Sequence, residues 1–237
     1  MAVVTIDGQI GSGAPEIGAL VAIRLETDYV DRLVMAEAAK RIGAPVEVVE
    51  QKILESSSRM ARLSRLFKTL LERSAMSGTG GDPYFGAGWD NLMTRPYNEA
   101  DESEITSAQE LDDQRFISTY KEVITDLAKM GNVVIIGHGS CMLLKDHPQA
   151  LHVGLVADIE YRIGRIMNRE GLERSTAEKY TMAQEKGRVT YFKRFFKVNA
   201  NDPTLYQVVL NMSAMKDNYA EELIAQAAIS LDKGEFN

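Results

Sequence analysis

The chain has 237 residues, 45% of them apolar and 26% charged, which fits one large soluble α/β domain or one domain with an appended lid. The formal net charge of −7 argues against polymeric nucleic acid as a partner, so any anion site has to come from local arrangement. Cys141 is the single cysteine, which excludes an internal disulfide and a thiolate metal cluster. The start of the chain lacks a basic lead, and no apolar run approaches the length of a membrane span. A cytoplasmic protein without a membrane partner is the expectation.

Ala2 to Ile6 is a short β-branched run, expected as a buried first strand. Pro15 and Glu16 suit the first turn of a helix whose period is carried by Ile17, Leu20, Val21 and Leu25. A second short strand is expected over Asp28 to Val30. Asp31 then stands where it could cap a helix that ends near Gly43. From Pro45 to Ser74 one or two amphipathic helices are expected, with a stripe of Met60, Leu63, Phe67 and Leu70. That stripe suits either an intramolecular core or a homodimer partner. The spaced cations Arg59, Arg62, Arg65 and Lys68 read as a solvated face. Ser77 to Gly88 reads as a mobile glycine-rich loop, and Glu99 to Asp113 as an exposed acidic connection.

A helix from Gln109 to Met130 should stop at Gly131 in a left-handed cap. Strands are expected over Asn132 to Ile136, Leu151 to Val156 and Tyr206 to Leu210. Helices are expected from an Asp158 cap through Arg169, over Ser175 to Phe196, and over Asp217 to Ser230. Strands alternating with helices predict a parallel sheet covered on both faces.

The turn after the first strand carries the chemistry. Gly8 and Gly13 have the spacing of G-x-x-x-x-G-K-[ST], a loop whose backbone N–H groups cradle phosphates. Ala14 and Pro15 replace the lysine and the Mg²⁺-holding hydroxyl. The spacing alone leaves a tight strand–helix turn without a ligand equally open.

The motifs together resemble the cytidylate kinase-like family, a branch of the P-loop nucleoside monophosphate kinases. Members tend to carry a G-S-G-G-R-E-I-G loop in place of the Lys-Ser loop. Gly11-Ser12-Gly13-Ala14-Pro15-Glu16-Ile17-Gly18 matches it except at Ala14 and Pro15. Further matches are Tyr29-Val30-Asp31, Val134 to Ser140, Arg162 to Gly171, and Asn201 to Asn211. They cover nearly the whole chain except about residues 75 to 107.

The resemblance implies a P-loop kinase-like parallel five-stranded sheet with helices on both faces and a helical lid. One domain over 1–237 is expected, with an acceptor-side insertion at 45–107 and a lid at 174–200. ATP as donor, Mg²⁺ and a nucleoside monophosphate such as CMP as acceptor are also implied. Gly8, Gly11, Ser12, Gly13 and Ala14 would line the nucleotide phosphates. Arg162 and Arg165 would stand near them, and Arg188 and Arg194 would reach over from the lid as catalytic groups, because guanidinium forks grip phosphate oxygens. Asp31 and His138 would serve the acceptor, His138 standing where the family tends to have arginine.

Each assignment has a plainer rival. Arg162, Arg165 and Arg169 could form a solvated basic face, Asp31 only a cap, and His138 a neutral backbone-bonded ring. Tyr191, Phe192, Phe195 and Phe196 read as packing rather than base stacking. Cys141 reads as a small buried residue, and His147 and His152 lack partners at zinc-ligand spacing. At the level of function, a non-catalytic nucleotide-binding regulatory protein with a degenerate loop stands beside the kinase, as does a purely structural protein.

Overall fold

The structure, a computed structural model, describes residues 2–31 and 107–236. The helices expected between Asp31 and Ser74, the loop Ser77 to Gly88 and the start of the acidic connection lie outside these residues. So do the Met60 and Arg59 stripes. The chain divides into two compact units, Met1–Tyr29 with Pro96–Asn237, and Val30–Arg95.

Five strands run in the order β2-β3-β1-β4-β5: β1 Val3–Gly8, β2 Asp28–Val30, β3 Val133–Ile136, β4 Ala150–Val156 and β5 Val208–Asn211. The helices are α1 Ala14–Arg24, α2 Ser107–Met130, the short α3 Ser140–Leu143, α4 Ile159–Glu170, α5 Arg174–Phe196 and α6 Asp217–Asp232. The pairings of β1 with β3 and β4, and of β4 with β5, are parallel. Ile6 lies opposite both Ile136 and Val153. The turns that follow β1 and β3 therefore emerge side by side at the carboxyl edge of the sheet, where α/β proteins bind ligands.

Alternation along β1 explains why both faces are covered. Ala2, Val4 and Ile6 join Ile17 and Val21 of α1 and Ile224 and Ala228 of α6 in one core. Val3, Thr5 and Asp7 point the other way and are buried as well, as a parallel sheet between two helical layers requires. On that side Cys141, Tyr191, Phe192 and Ala200 form a second cluster. Its rings meet edge-on, with Tyr191 and Phe196 centroids 5.7 Å apart and Phe192 and Phe196 5.6 Å apart. The aromatics of α5 are thus packing residues, and Cys141 is a buried small side chain whose thiol burial pushes up.

Among the described residues, the expected elements stand within a few residues of their places. Gly131 takes the left-handed conformation at φ 65°. Three local readings need correction. The last strand begins at Val208 rather than Tyr206, because Pro203–Leu205 forms a 3₁₀ turn whose first N–H groups are met by Asp202, with Thr204 N–H donating to its Oδ1 at 2.9 Å. The Tyr206 hydroxyl meanwhile donates to Ala200 O at 3.1 Å. Asp158 occupies the N-cap position of α4, but its carboxylate caps nothing; its own N–H donates to Ser213 Oγ at 2.7 Å. The single turn α3 was not anticipated. Among the described residues no helix is long and apolar enough to cross a membrane.

Candidate active site

The loop between β1 and α1 is built by backbone geometry. Gly11 and Gly13 adopt φ of 86° and 101°, conformations that favour glycine. Side-chain atoms would also have nowhere to go. A Cβ on Gly11 would lie 2.6 Å from Arg162 O, and one on Gly13 would lie 2.7 Å from the Arg165 Cζ. Pro15 sits in the first turn of α1, as its missing N–H allows. Tyr29 at the end of β2 donates its hydroxyl to Pro15 O at 3.3 Å.

The loop N–H groups divide into two sets. Gly8 donates to Asp7 Oδ1 at 2.9 Å, Gln9 to Leu155 O at 3.0 Å, Ile10 to Glu185 Oε2 at 2.8 Å and Ser12 to Gln9 O at 2.9 Å. Those of Gly11, Gly13 and Ala14 donate to no acceptor among the described residues. They stand at the positive end of α1, the arrangement that favours an anion. Ser12 is fully buried; its hydroxyl lies beside Gly8 and has no hydrogen-bond partner among the described residues.

Arg162, Arg165 and Arg169 do share a face of α4; Arg162 and Arg165 are turned onto the loop, while Arg169 is exposed and donates to Glu170 at 2.7 Å. Arg162 is 8% exposed; its Nη1 lies 3.5 Å from Ile10 O and 3.6 Å from Glu185 Oε2. Burial pushes its pKa down, against the pull of Glu185. Arg165 donates to both carboxylate oxygens of Asp217 at 2.8 and 2.7 Å and to the Tyr161 hydroxyl at 2.9 Å. The Asp217 bonds raise its pKa further above the ordinary arginine range. Glu16, in the first turn of α1, lies 3.5 Å from Arg165 and 3.8 Å from Arg169.

Arg188 occupies the centre of a buried cluster and is only 1% exposed. Nε and Nη2 donate to Glu185 at 3.3 and 2.9 Å, Nη2 also to Asn201 Oδ1, and Nη1 to Ala200 O at 3.4 Å. Asp7, 2% exposed, lies 3.8 Å from Nη1. Burial opposes the guanidinium charge; the Glu185 bonds and the two carboxylates outweigh it and leave the pKa raised. For Asp7, burial wins over Arg188 and the Gly8 and Gly139 N–H groups, and its pKa is raised. The guanidinium fork is thus already filled by protein acceptors. Arg194 lies in the last turn of α5, 5.7 Å over the Phe195 ring.

The neighbouring turn brings His138 to the same edge of the sheet. Gly137, His138 and Gly139 all have positive φ, at 71°, 57° and 66°. Tyr191 donates its hydroxyl to His138 O at 3.1 Å, and a Cβ on Gly139 would lie 2.4 Å from the Phe196 ring. Asp31 follows β2, and the helix it was expected to cap lies outside the described residues. Ala14 and Pro15 stand where a hydroxyl would hold Mg²⁺, and Asp7 is buried against Arg188. Among the described residues no group of three His, Cys, Asp or Glu could hold a metal ion.

Asp7, Glu185, Asn201 and Asp217 were not anticipated at the site. An aspartate ending an apolar strand, and the i, i+3 spacing of Glu185 and Arg188, are signals the sequence does carry. Nothing local marks Asp217, which lies 52 residues from Arg165.

These features occur in a chain that matches the sequence profile of the cytidylate kinase-like family over residues 3–214. The chain belongs to that family. Two curated relatives are each named cytidylate kinase. The protein from Aeropyrum pernix is 31% identical over 96 residues, 40% of this chain and 55% of that protein. The protein from Methanocaldococcus jannaschii is 27% identical over 110 residues, 46% of this chain and 62% of that protein. The matched stretches therefore span little more than half of each relative. A crystal structure of an uncharacterized protein from Eubacterium ventriosum shares the fold with a TM-score of 0.61, at 14% identity over 97% of this chain and 99% of that one.

Proposed function

We propose that this protein is an ATP-dependent nucleoside monophosphate kinase with CMP or a close relative as acceptor. The observation that carries the reading is the first loop. Gly11 and Gly13 are held at positive φ, three N–H groups donate to no acceptor among the described residues, and two arginines back the turn, in a chain of the cytidylate kinase-like family. In this reading the N–H groups of Gly11, Gly13 and Ala14 receive the donor phosphates, and the Arg162 and Arg165 guanidiniums supply positive potential behind them. Mg²⁺ would supply counter-charge to the ATP phosphates. Arg188 and Arg194 of α5, the lid helix, neutralise the phosphoryl group in flight, and Asp31 and His138 serve the acceptor. The acceptor phosphate oxygen forms the new P–O bond as the bond to the β–γ bridging oxygen breaks and ADP leaves. The enzyme works in the cytoplasm on free nucleotides, without a polymeric nucleic-acid partner, and a homodimer is compatible with it.

A second reading is favoured by one specific observation. The Arg188 fork is filled by Glu185, Asn201 and Ala200, and the loop lacks the family's arginine at Pro15. A regulatory protein that binds nucleotide without turnover would have this appearance. ADP release from ATP and Mg²⁺ across a panel of monophosphates, with calorimetric ATP binding in parallel, separates the two. Turnover supports the kinase, and binding without turnover supports the regulator.

A further inference from the structure

Glu185 reaches from the middle of α5 into the first loop. Its Oε2 accepts the Ile10 N–H at 2.8 Å and the Arg188 Nε at 3.3 Å, and it lies 3.6 Å from the Arg162 Nη1. Oε1 accepts from Arg188 Nη2 at 2.9 Å. The side chain is 15% exposed. One main-chain N–H in a glycine-rich loop and two guanidiniums form a donor set for any oxyanion, and a carboxylate oxygen and a phosphate oxygen accept from it alike. Among the described residues the other carboxyl group against Arg188 is that of Asp7. Among the described residues, Arg162 and Arg188 thus face the acidic side chains of Glu185 and Asp7.

We propose that Glu185 is an internal anion that holds the Ile10 N–H, Arg162 and Arg188 in the nucleotide-free protein, and that a nucleotide phosphate binds by displacing it. This rests on reading the first loop as the phosphate site. Displacement frees the Nε and Nη2 donors that Glu185 holds at the moment phosphate arrives, so part of the charge needed over the phosphates is released by the ligand itself. The α5 helix carries Glu185 and Arg188 one turn apart, so withdrawal of the carboxylate and exposure of the guanidinium are one movement.

The test is ATP affinity of the full chain and of Glu185→Gln and Glu185→Asp, with Ile10 followed by its backbone amide signal. Glu185→Gln removes the competing charge, and affinity is expected to rise roughly ten- to hundredfold. Glu185→Asp keeps the charge beside Arg188 but draws it back from Ile10, so a smaller rise is expected. The Ile10 amide should exchange with solvent faster in Glu185→Asp than in the parent, and should regain protection with ATP. Equal affinity in all three proteins, or a rise in Glu185→Gln alone, overturns the displacement and leaves the nucleotide reading standing. Absence of ATP binding in every form overturns both.

Discussion

Arg165 grips Asp217 through two near-parallel hydrogen bonds of 2.8 and 2.7 Å while its guanidinium fills the space under Gly13. One side chain therefore ties α4 to the first turn of α6 and props the loop between β1 and α1. A lysine could not do both, since it lacks the planar fork.

If the pair acts as a unit, Arg165→Ala and Asp217→Asn should each cost about 1–2 kcal/mol. A double-mutant cycle read by urea unfolding should give a coupling energy of about 1 kcal/mol or more. Additive losses would mean that the fork contributes nothing of its own.

Gly13→Ala should destabilise the chain by about 1–3 kcal/mol, because φ of 101° is strained for any Cβ and the new methyl meets the Arg165 guanidinium. In an Arg165→Ala background the collision disappears and only the backbone strain remains. The loss measured there by thermal unfolding should be smaller. An unchanged loss would place the whole effect in the backbone.

The Arg188 cluster predicts an asymmetry. Arg188→Met strands two carboxylates in a site where the parent residue is 1% exposed, and should cost roughly 3–5 kcal/mol. Adding Asp7→Asn to that variant should restore part of the loss, because it removes one of the two stranded acidic groups. If the second substitution makes the first worse, Asp7 is not held by Arg188.

His152 gives a pH dependence with a defined sign. The ring is buried in β4, with its Nδ1 2.7 Å from Thr5 Oγ1, and burial pushes its pKa from 6.5 down to about 4, with His147 adding to the fall. Between those values the unfolded chain binds a proton that the folded chain refuses, so stability falls as pH drops through the window. The full effect is about 3 kcal/mol. Urea midpoints measured from pH 6.5 to 4 should fall more steeply for the parent than for His152→Gln, and equal slopes would remove His152 from the account.

Much of this architecture is written locally. The β-branched run before Gly8 and the second one before Gly137 specify adjacent parallel strands, and the glycine spacing specifies the turn between β1 and α1. The Arg162, Arg165 and Arg169 spacing correctly put three cations on one side of α4, because helical period alone decides that. What those cations meet is not local. Asp217 and Glu185 reach Arg165 and Arg162 only through the tertiary fold, so a row that reads as basic becomes a set of closed ion pairs. Tyr206 shows the same limit on a smaller scale. Its β propensity is overridden by the Asp202-capped turn and by its bond to Ala200 O.

The proposed activity is tested most directly by steady-state ADP formation from ATP and Mg²⁺ with CMP and a panel of other monophosphates. The account predicts turnover that needs both Mg²⁺ and an acceptor, strongest with CMP or a near relative. It also predicts a loss of about 10²-fold or more in a folded Arg188→Gln variant. ADP formation no greater than in the absence of any acceptor, from protein shown to be folded and to bind ATP, would contradict it.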